Sequence, residues 1–276
     1  MKKRKITRVL ISFFLLALLL FIMFPILWAI VLAFDRTVLD VLPDPPTMWP
    51  KEVSLFNFEY ALELIPLGRY YLNTILVTAC NTGVSVFCSM MCGYAFAKGK
   101  FWFKKFWFLF MLVVMMIPFE SKMIPLFLQY RSWGMVNTYW PLILGAFAYI
   151  YGIYFARQFI SDIPDSLREA AVIDGAGEWK IFFKVVFPLC GPLIATLCIL
   201  QVLNNWNSYL WPLIIISSRE KYLISVGVSM FNSAQQSVYY GPRMAVALLS
   251  ALPLMFIFLF FQKYIVESIA VSGIKQ

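Results

Sequence analysis

Glu169-Ala170-Ala171-Val172-Ile173-Asp174-Gly175-Ala176, with Pro188 thirteen positions after Gly175, is a short polar interruption between two long apolar stretches. Its carboxylates are costly in hydrocarbon, whereas the stretches on either side are apolar enough to cross it. A segment that lies outside a bilayer, yet is flanked on both sides by membrane, is placed to meet a soluble partner. The loop therefore reads as a docking site.

The rest of the chain is consistent with such a site and offers little else. Hydrophobic residues make up 62% of the 276, charged residues 13%, and the mean hydropathy is +0.79. Soluble domains average about 25% charged residues, so this is an all-α, polytopic membrane protein. The net charge of +9 does not point to nucleic acid, because Lys and Arg crowd into short loops between apolar runs. There is no histidine, which removes the commonest general acid/base and metal ligand. No nucleophile is paired with a base, so neither a catalytic nor a metal site is expected. Cys80, Cys88, Cys92, Cys190 and Cys198 all sit in apolar runs and read as small hydrophobes. Gly93 and Gly99 are six apart, but Lys100 is followed by Phe101, so the P-loop pattern fails. The chain has no nucleotide site of its own, and its energy must come from another chain.

About 20 apolar residues cross the hydrocarbon core as a helix. Six spans are expected within one domain covering 1–276: 9–34, 72–97, 106–128, 139–159, 186–212 and 244–264. The third is interrupted by Pro118, Glu120 and Lys122. The fifth lies in an apolar region running on to 216, which bends or enters the interface near Trp211-Pro212. The basic start Lys2-Lys3-Arg4-Lys5 precedes too long an apolar core for a removable leader, so 9–34 is expected to stay as a first span.

Five Lys/Arg in 1–8, four in 98–105, four in 157–184 and two in the tail place 15 of the 23 on one side, read as the cytoplasm. Both termini and the loop 160–188 then share that side. The external loop 35–71 carries six acids, three basic residues and the prolines Pro43, Pro45, Pro46 and Pro50 that make it irregular, with one short helix expected near 55–64. Trp102, Trp107, Trp133, Tyr139, Trp140 and Trp211 read as interfacial anchors.

Residues 161–188 read as two short helices. Ser161 or Asp162 is expected to cap the first, with Pro164 in its first turn. Ile163, Leu167, Ala170 and Ala171 fall on one face and Asp162, Asp165 and Glu169 towards another. Asp174-Gly175 stops the helix. The second helix carries Trp179, Phe182 and Phe183 and ends or bends at Pro188.

At these residues the chain resembles the EAA loop of ABC-importer permeases. Val185 and Phe187-Pro188 stand where that family favours Ile and Leu-Pro. The Asp174-Gly175-Ala176 form resembles the carbohydrate-uptake branch, in particular the smaller permease of the maltose and glycerol-3-phosphate type. Asn205-Trp206-Asn207-Ser208-Tyr209-Leu210-Trp211-Pro212, Asn137-Thr138-Tyr139 and Gln262-Lys263-Tyr264 fit as well.

The resemblance implies a type I importer permease fold with coupling helices, in a bacterial plasma membrane. Glu169, Ala170, Ala171, Asp174, Gly175, Ala176 and Pro188 would form the ATPase-coupling site. The implied partners are a second, homologous permease, two ATPase copies that hold the ATP and Mg, and an extracellular or periplasmic solute-binding protein. The cargo would be an oligosaccharide or related sugar, with glycerol-3-phosphate or a polyol as the alternative.

Asn204, Asn205 and Asn207 lie in an apolar run, either lining the solute path or bonding between helices. Glu120 and Lys122 read as interfacial. An ion-coupled secondary transporter would need inverted repeats and a buried ionisable relay, and neither is evident.

Overall fold

The computed structural model describes the backbone of residues 2–234 and 239–273, with side chains at residue 7 and throughout 10–229 and 239–259. The side chains of Lys2, Lys3, Arg4, Lys5, Gln262, Lys263 and Tyr264 lie outside the described residues. The helices are α1 (Lys2–Phe34), α2 (Phe56–Leu64), α3 (Leu67–Lys98), α4 (Lys104–Met115), α5 (Phe119–Ser132), α6 (Trp140–Leu144) and α7 (Ile150–Ser161). They continue as α8 (Asp165–Ile173), α9 (Glu178–Ile181), α10 (Phe187–Leu189), α11 (Gly191–Trp206), α12 (Leu210–Ile215), α13 (Ile224–Ala234) and α14 (Tyr240–Gly273). Among the described residues the only β feature is an isolated bridge between Asp35 and Val53.

Four helical stretches are long and apolar enough to cross a membrane: Leu10–Phe34, Leu67–Lys98, Trp140–Ser161 and Tyr240–Leu259. Two further stretches pass only as bent pairs, which would bring the number to six. The expected third span is one of them. Its helices α4 and α5 meet at 96°, so 106–128 is not one straight crossing. Pro118 supplies no amide at this point and the residue before it avoids the helical region, so the ladder breaks before Phe119. The other pair, Glu178–Leu189 and Gly191–Trp206, bends by 78°.

Packing divides into two units, Met1–Leu67 with Gly227–Pro253, and Gly68–Val226 with Leu254–Gln276. In the first unit, the end of α1 is met by one side chain together with the Ser54 N–H, which reaches the Phe34 carbonyl (2.8 Å). The amide of the fully buried Asn57 donates to the carbonyls of Leu32 (3.3 Å), Ala33 (3.2 Å) and Asp35 (2.8 Å). These are the acceptors a helix C-terminus leaves without partners. A Cβ built on Gly241 would stand 2.7 Å from Asn57 Cγ, so only glycine fits there.

Asp35, also fully buried, accepts from Thr37 N–H (3.0 Å) and hydroxyl (2.7 Å), Lys51 N–H (2.8 Å) and Glu52 N–H (3.4 Å). Burial pushes its carboxyl up, but these donors outweigh burial and hold it below the ordinary Asp value. The loop is thereby folded back on its own start.

The second unit is built around α3. Of the most apolar window of α3, 44% is buried, against 6% for that of α1. The buried face of α3 carries Thr74, Thr78, Asn81, Ser85 and Ser89, small or polar residues spaced three and four apart. Small residues let helix backbones approach closely in a membrane. A Cβ on Gly93 would collide with Ala156 and reach 2.9 Å from the Arg157 nitrogen, and one on Gly152 would meet the Ser89 hydroxyl. Helices α3 and α7 are therefore pressed together along two positions. Val86 and Met90 of α3 pack with Ala156, Ile160, Ile181, Phe182, Val186, Cys190 and Leu197 in one core.

Candidate functional site

The loop 161–188 hangs from this core. Ile163 and Pro164 break the chain between α7 and α8, and Pro164 itself occupies the N-cap in an extended conformation. The expected cap is thus corrected. Ser161 and Asp162 close the preceding helix instead, with Asp162 as its C-cap and the Ser161 hydroxyl donating to the Arg157 carbonyl (2.7 Å). The helical region is disfavoured for a residue before proline, so α8 starts only at Asp165.

Helix α8 stops as the sequence indicated. Gly175 has φ +74°, its N–H reaches the Val172 carbonyl (3.0 Å), and Ala176 N–H reaches Ala171 (2.9 Å). This pair of bonds is a Schellman closure, which needs the left-handed residue that glycine supplies. The chain then enters α9, a π turn over Phe182–Val186, and α10. Pro188 lies inside α10, and the sharp bend comes later, at Cys190 and Gly191. Pro188 lacks the amide that would bond back to Lys184 in an α-helix, which accounts for the loosened turn before it.

Two polar clamps tie the loop to the end of α3. Lys98, with its side chain only 10% exposed, donates to the Ile163 carbonyl (2.7 Å) and pairs with Asp165 (2.7 Å). Tyr94 donates its hydroxyl to Glu178 Oε2 (2.5 Å), and Arg168 pairs with Glu178 Oε1. Hydrogen bonds from Tyr94 and Arg168 hold the Glu178 carboxyl below the ordinary Glu value. The Lys98 ammonium does the same for Asp165.

Between the clamps the loop presents a mixed surface. Glu169, Ala170, Val172, Ile173, Asp174 and Gly175 are exposed, while Ala171 and Ala176 lean on the core. Ile173 is 85% exposed and Trp179 63%. Of the four residues expected on one face, Leu167 and Ala170 are exposed, while Ile163 and Ala171 turn inward. Trp179 stacks on Phe183 (6.2 Å), which stacks on Phe87 of α3 (6.2 Å). The loop thus presents an apolar surface edged by carboxylates and closed by a tight turn. Among the described residues no cluster could hold a metal ion.

The three asparagines of α11 separate. Asn205 donates to Asn81 Oδ1 of α3 (3.0 Å) and to the Gln201 carbonyl (2.8 Å). Gln201 Nε2 reaches the Ser85 hydroxyl (2.6 Å), which donates to Asn81 Oδ1 (3.2 Å), and Asn81 donates to the Leu142 carbonyl (2.7 Å). Asn205 thus belongs to an interhelical network, whereas Asn204 and Asn207 are exposed. Asn81, Ser85, Gln201 and Tyr94 carry no sequence motif of their own, and Lys98 counts there only as one of the basic residues of 98–105. The signal that finds the first two is the three-and-four spacing of polar residues within a span.

A profile of the family described as binding-protein-dependent transport system inner membrane component matches residues 85–271. The chain is 35% identical to the arabinooligosaccharides transport system permease protein AraQ of Halalkalibacterium halodurans, covering 82% of this chain and 81% of that one. It is 30% identical to the diacetylchitobiose uptake system permease protein NgcG of Streptomyces coelicolor, covering 89% and 82%. The fold is also similar to a chain of a bacterial ABC transporter involved in the import of the acidic polysaccharide alginate. The TM-score is 0.84 at 20% sequence identity, over 96% of this chain and 98% of that one. This chain belongs to the binding-protein-dependent transport system inner membrane component family, and is a transport subunit rather than an enzyme.

Proposed function

We propose that the chain is one permease subunit of an ATP-driven importer for an oligosaccharide or related sugar, and that it couples to a cytoplasmic ATPase through the loop carrying Glu169 and Gly175. The observation that carries this reading is the exposed helical hairpin, closed at Gly175 and edged by Glu169 and Asp174. Six spans with both termini in the cytoplasm put that hairpin where an ATPase can reach it, in agreement with the bias of Lys and Arg. The partners are a second permease, two ATPase copies holding the nucleotide and Mg, and a solute-binding protein outside. Asn204 and Asn207 line half of the solute path. The saccharide cargoes named for AraQ and NgcG support a sugar and do not favour glycerol-3-phosphate.

Two variants test the coupling. A Cβ at Gly175 meets nothing within 4 Å, so Gly175→Val acts by straining a left-handed residue, not by collision. Glu169→Lys reverses a charge on the exposed face without touching the core. Both are expected to abolish uptake or release the ATPase while membrane insertion stays normal. Normal uptake and normal ATPase retention in both would overturn the docking assignment. Uptake that survives ATP depletion but collapses with the ion gradient would overturn the importer reading itself.

A further inference from the structure

We propose that Tyr94 and Lys98 are positioning residues that make α3, rather than the helices continuous with the loop, the element that carries loop displacement into the membrane. The inference rests on the importer reading above. A loop joined only through α7 and α11 would have flexible points at both ends, at Ile163-Pro164 and at the bend near Cys190. Both are bridged by α3. Lys98 grips the start of α8 through Asp165 and the carbonyls of Ile163 and, at 3.5 Å, Ser161. Tyr94, one turn earlier on α3, grips Glu178 at the start of α9, and Glu178 in turn holds Arg168 of α8. The two loop helices are thereby locked to each other and to one strut.

The strut is continuous. Helix α3 is unbroken from Leu67 to Lys98, and its close approach to α7 at Gly93 leaves no slack beside the clamps. Seventeen residues before Lys98 lies Asn81, about 25 Å along the helix at 1.5 Å per residue. There α3 meets α11 through the Asn81, Ser85, Gln201 and Asn205 bonds. Moving the loop as a body therefore moves the polar network at mid-helix. Loosening the clamps lets the loop move while α3 stays.

The test uses the assembled transporter in proteoliposomes, with hydrolysis and uptake read from the same vesicles. Tyr94→Phe removes only the hydroxyl and keeps the ring against Phe182 (5.5 Å). Lys98→Met keeps the apolar stem and removes the charge. The double variant is expected to retain the ATPase and hydrolyse ATP, while uptake per ATP falls about tenfold, the factor carried by a lost charge-assisted hydrogen bond. Lys98→Arg is expected to keep the ratio close to wild type. An unchanged ratio in the double variant overturns the proposal. So does loss of the ATPase from it, since the clamps would then only shape the docking face. If the double variant fails to fold or insert in the membrane, Tyr94→Phe alone is read by the same criteria. Wild-type vesicles showing no ATP-dependent uptake would instead refute the importer reading, whatever the clamps do.

Discussion

Replacing Gly93 with alanine adds one carbon at the tightest approach of α3 and α7. The built Cβ lies 2.3 Å from Ala156 Cβ and 2.9 Å from the Ala156 carbonyl carbon and the Arg157 nitrogen, none of which has a rotamer by which to withdraw. Comfortable carbon contacts begin at about 3.5 Å, so the two helices must part by about 1 Å. Overpacking of this kind costs about 1–3 kcal/mol. Alanine also gains up to about 1 kcal/mol over glycine in a helix interior, which would mask part of that cost. Gly83 removes the ambiguity. It lies in the same helix, and a Cβ there meets nothing within 4 Å, so Gly83→Ala collects the gain alone. The difference between the variants therefore isolates the collision at about 1–3 kcal/mol, or roughly 2–12 °C in Tm at about 2–4 °C per kcal/mol. Intrinsic tryptophan fluorescence during heating in detergent reads both against wild type. A Gly93→Ala protein that melts with or above Gly83→Ala would refute the close packing of α3 on α7.

Asp35→Asn places a donor against the amide and hydroxyl donors gathered there, and is expected to cost about 3 kcal/mol in thermal unfolding. Because the folded pKa is lowered, Asp35 contributes stability above the ordinary value of 3.8, and that contribution fades as pH falls through the lower folded value. The acid-side fall in Tm between about pH 5 and pH 3 should be shallower in Asp35→Asn than in wild type, and identical slopes would count against the assignment. Asn205→Ala is expected to lower Tm by a few degrees through the loss of about 0.6–1.7 kcal/mol of interhelical bonding. Asn204→Ala and Asn207→Ala should leave the melt unchanged and alter only the solute dependence of uptake. A lowered Tm in those two would remove them from the path.

What could be read beforehand was whatever local chemistry decides. Gly175 had to end α8 because the turn demands a left-handed residue, and the short helix expected near 55–64 lies at Phe56–Leu64. Ser161 and Asp162 suit either end of a break, and only the position of Pro164 as the N-cap of α8 assigns them to the end of α7. The 96° corner before Phe119 was hidden for a different reason. Apolar residues continue through it, so counting them cannot distinguish a crossing from a turn. Lys51 and Glu52 lie 16 and 17 residues from Asp35, and the partners of Asn57 and Tyr94 lie farther still, so no local pattern announces these bonds. Asn205 was open between path and packing, because one side-chain amide serves either; its acceptor on Asn81 places it in the packing.

The side-chain amide at the end of α1 also sets an order of events. Asn57 meets the carbonyls of Leu32, Ala33 and Asp35 within 25 residues of chain, so that half of the junction is available as soon as α2 is made. Gly241, which covers the same side chain, is synthesised 184 residues later. At about 5–20 residues per second the delay is roughly 10–40 s. The end of α1 is thus among the last junctions to be finished. For that interval it is held by Asn57 and the Ser54 N–H, while everything from α3 to α13 is laid down.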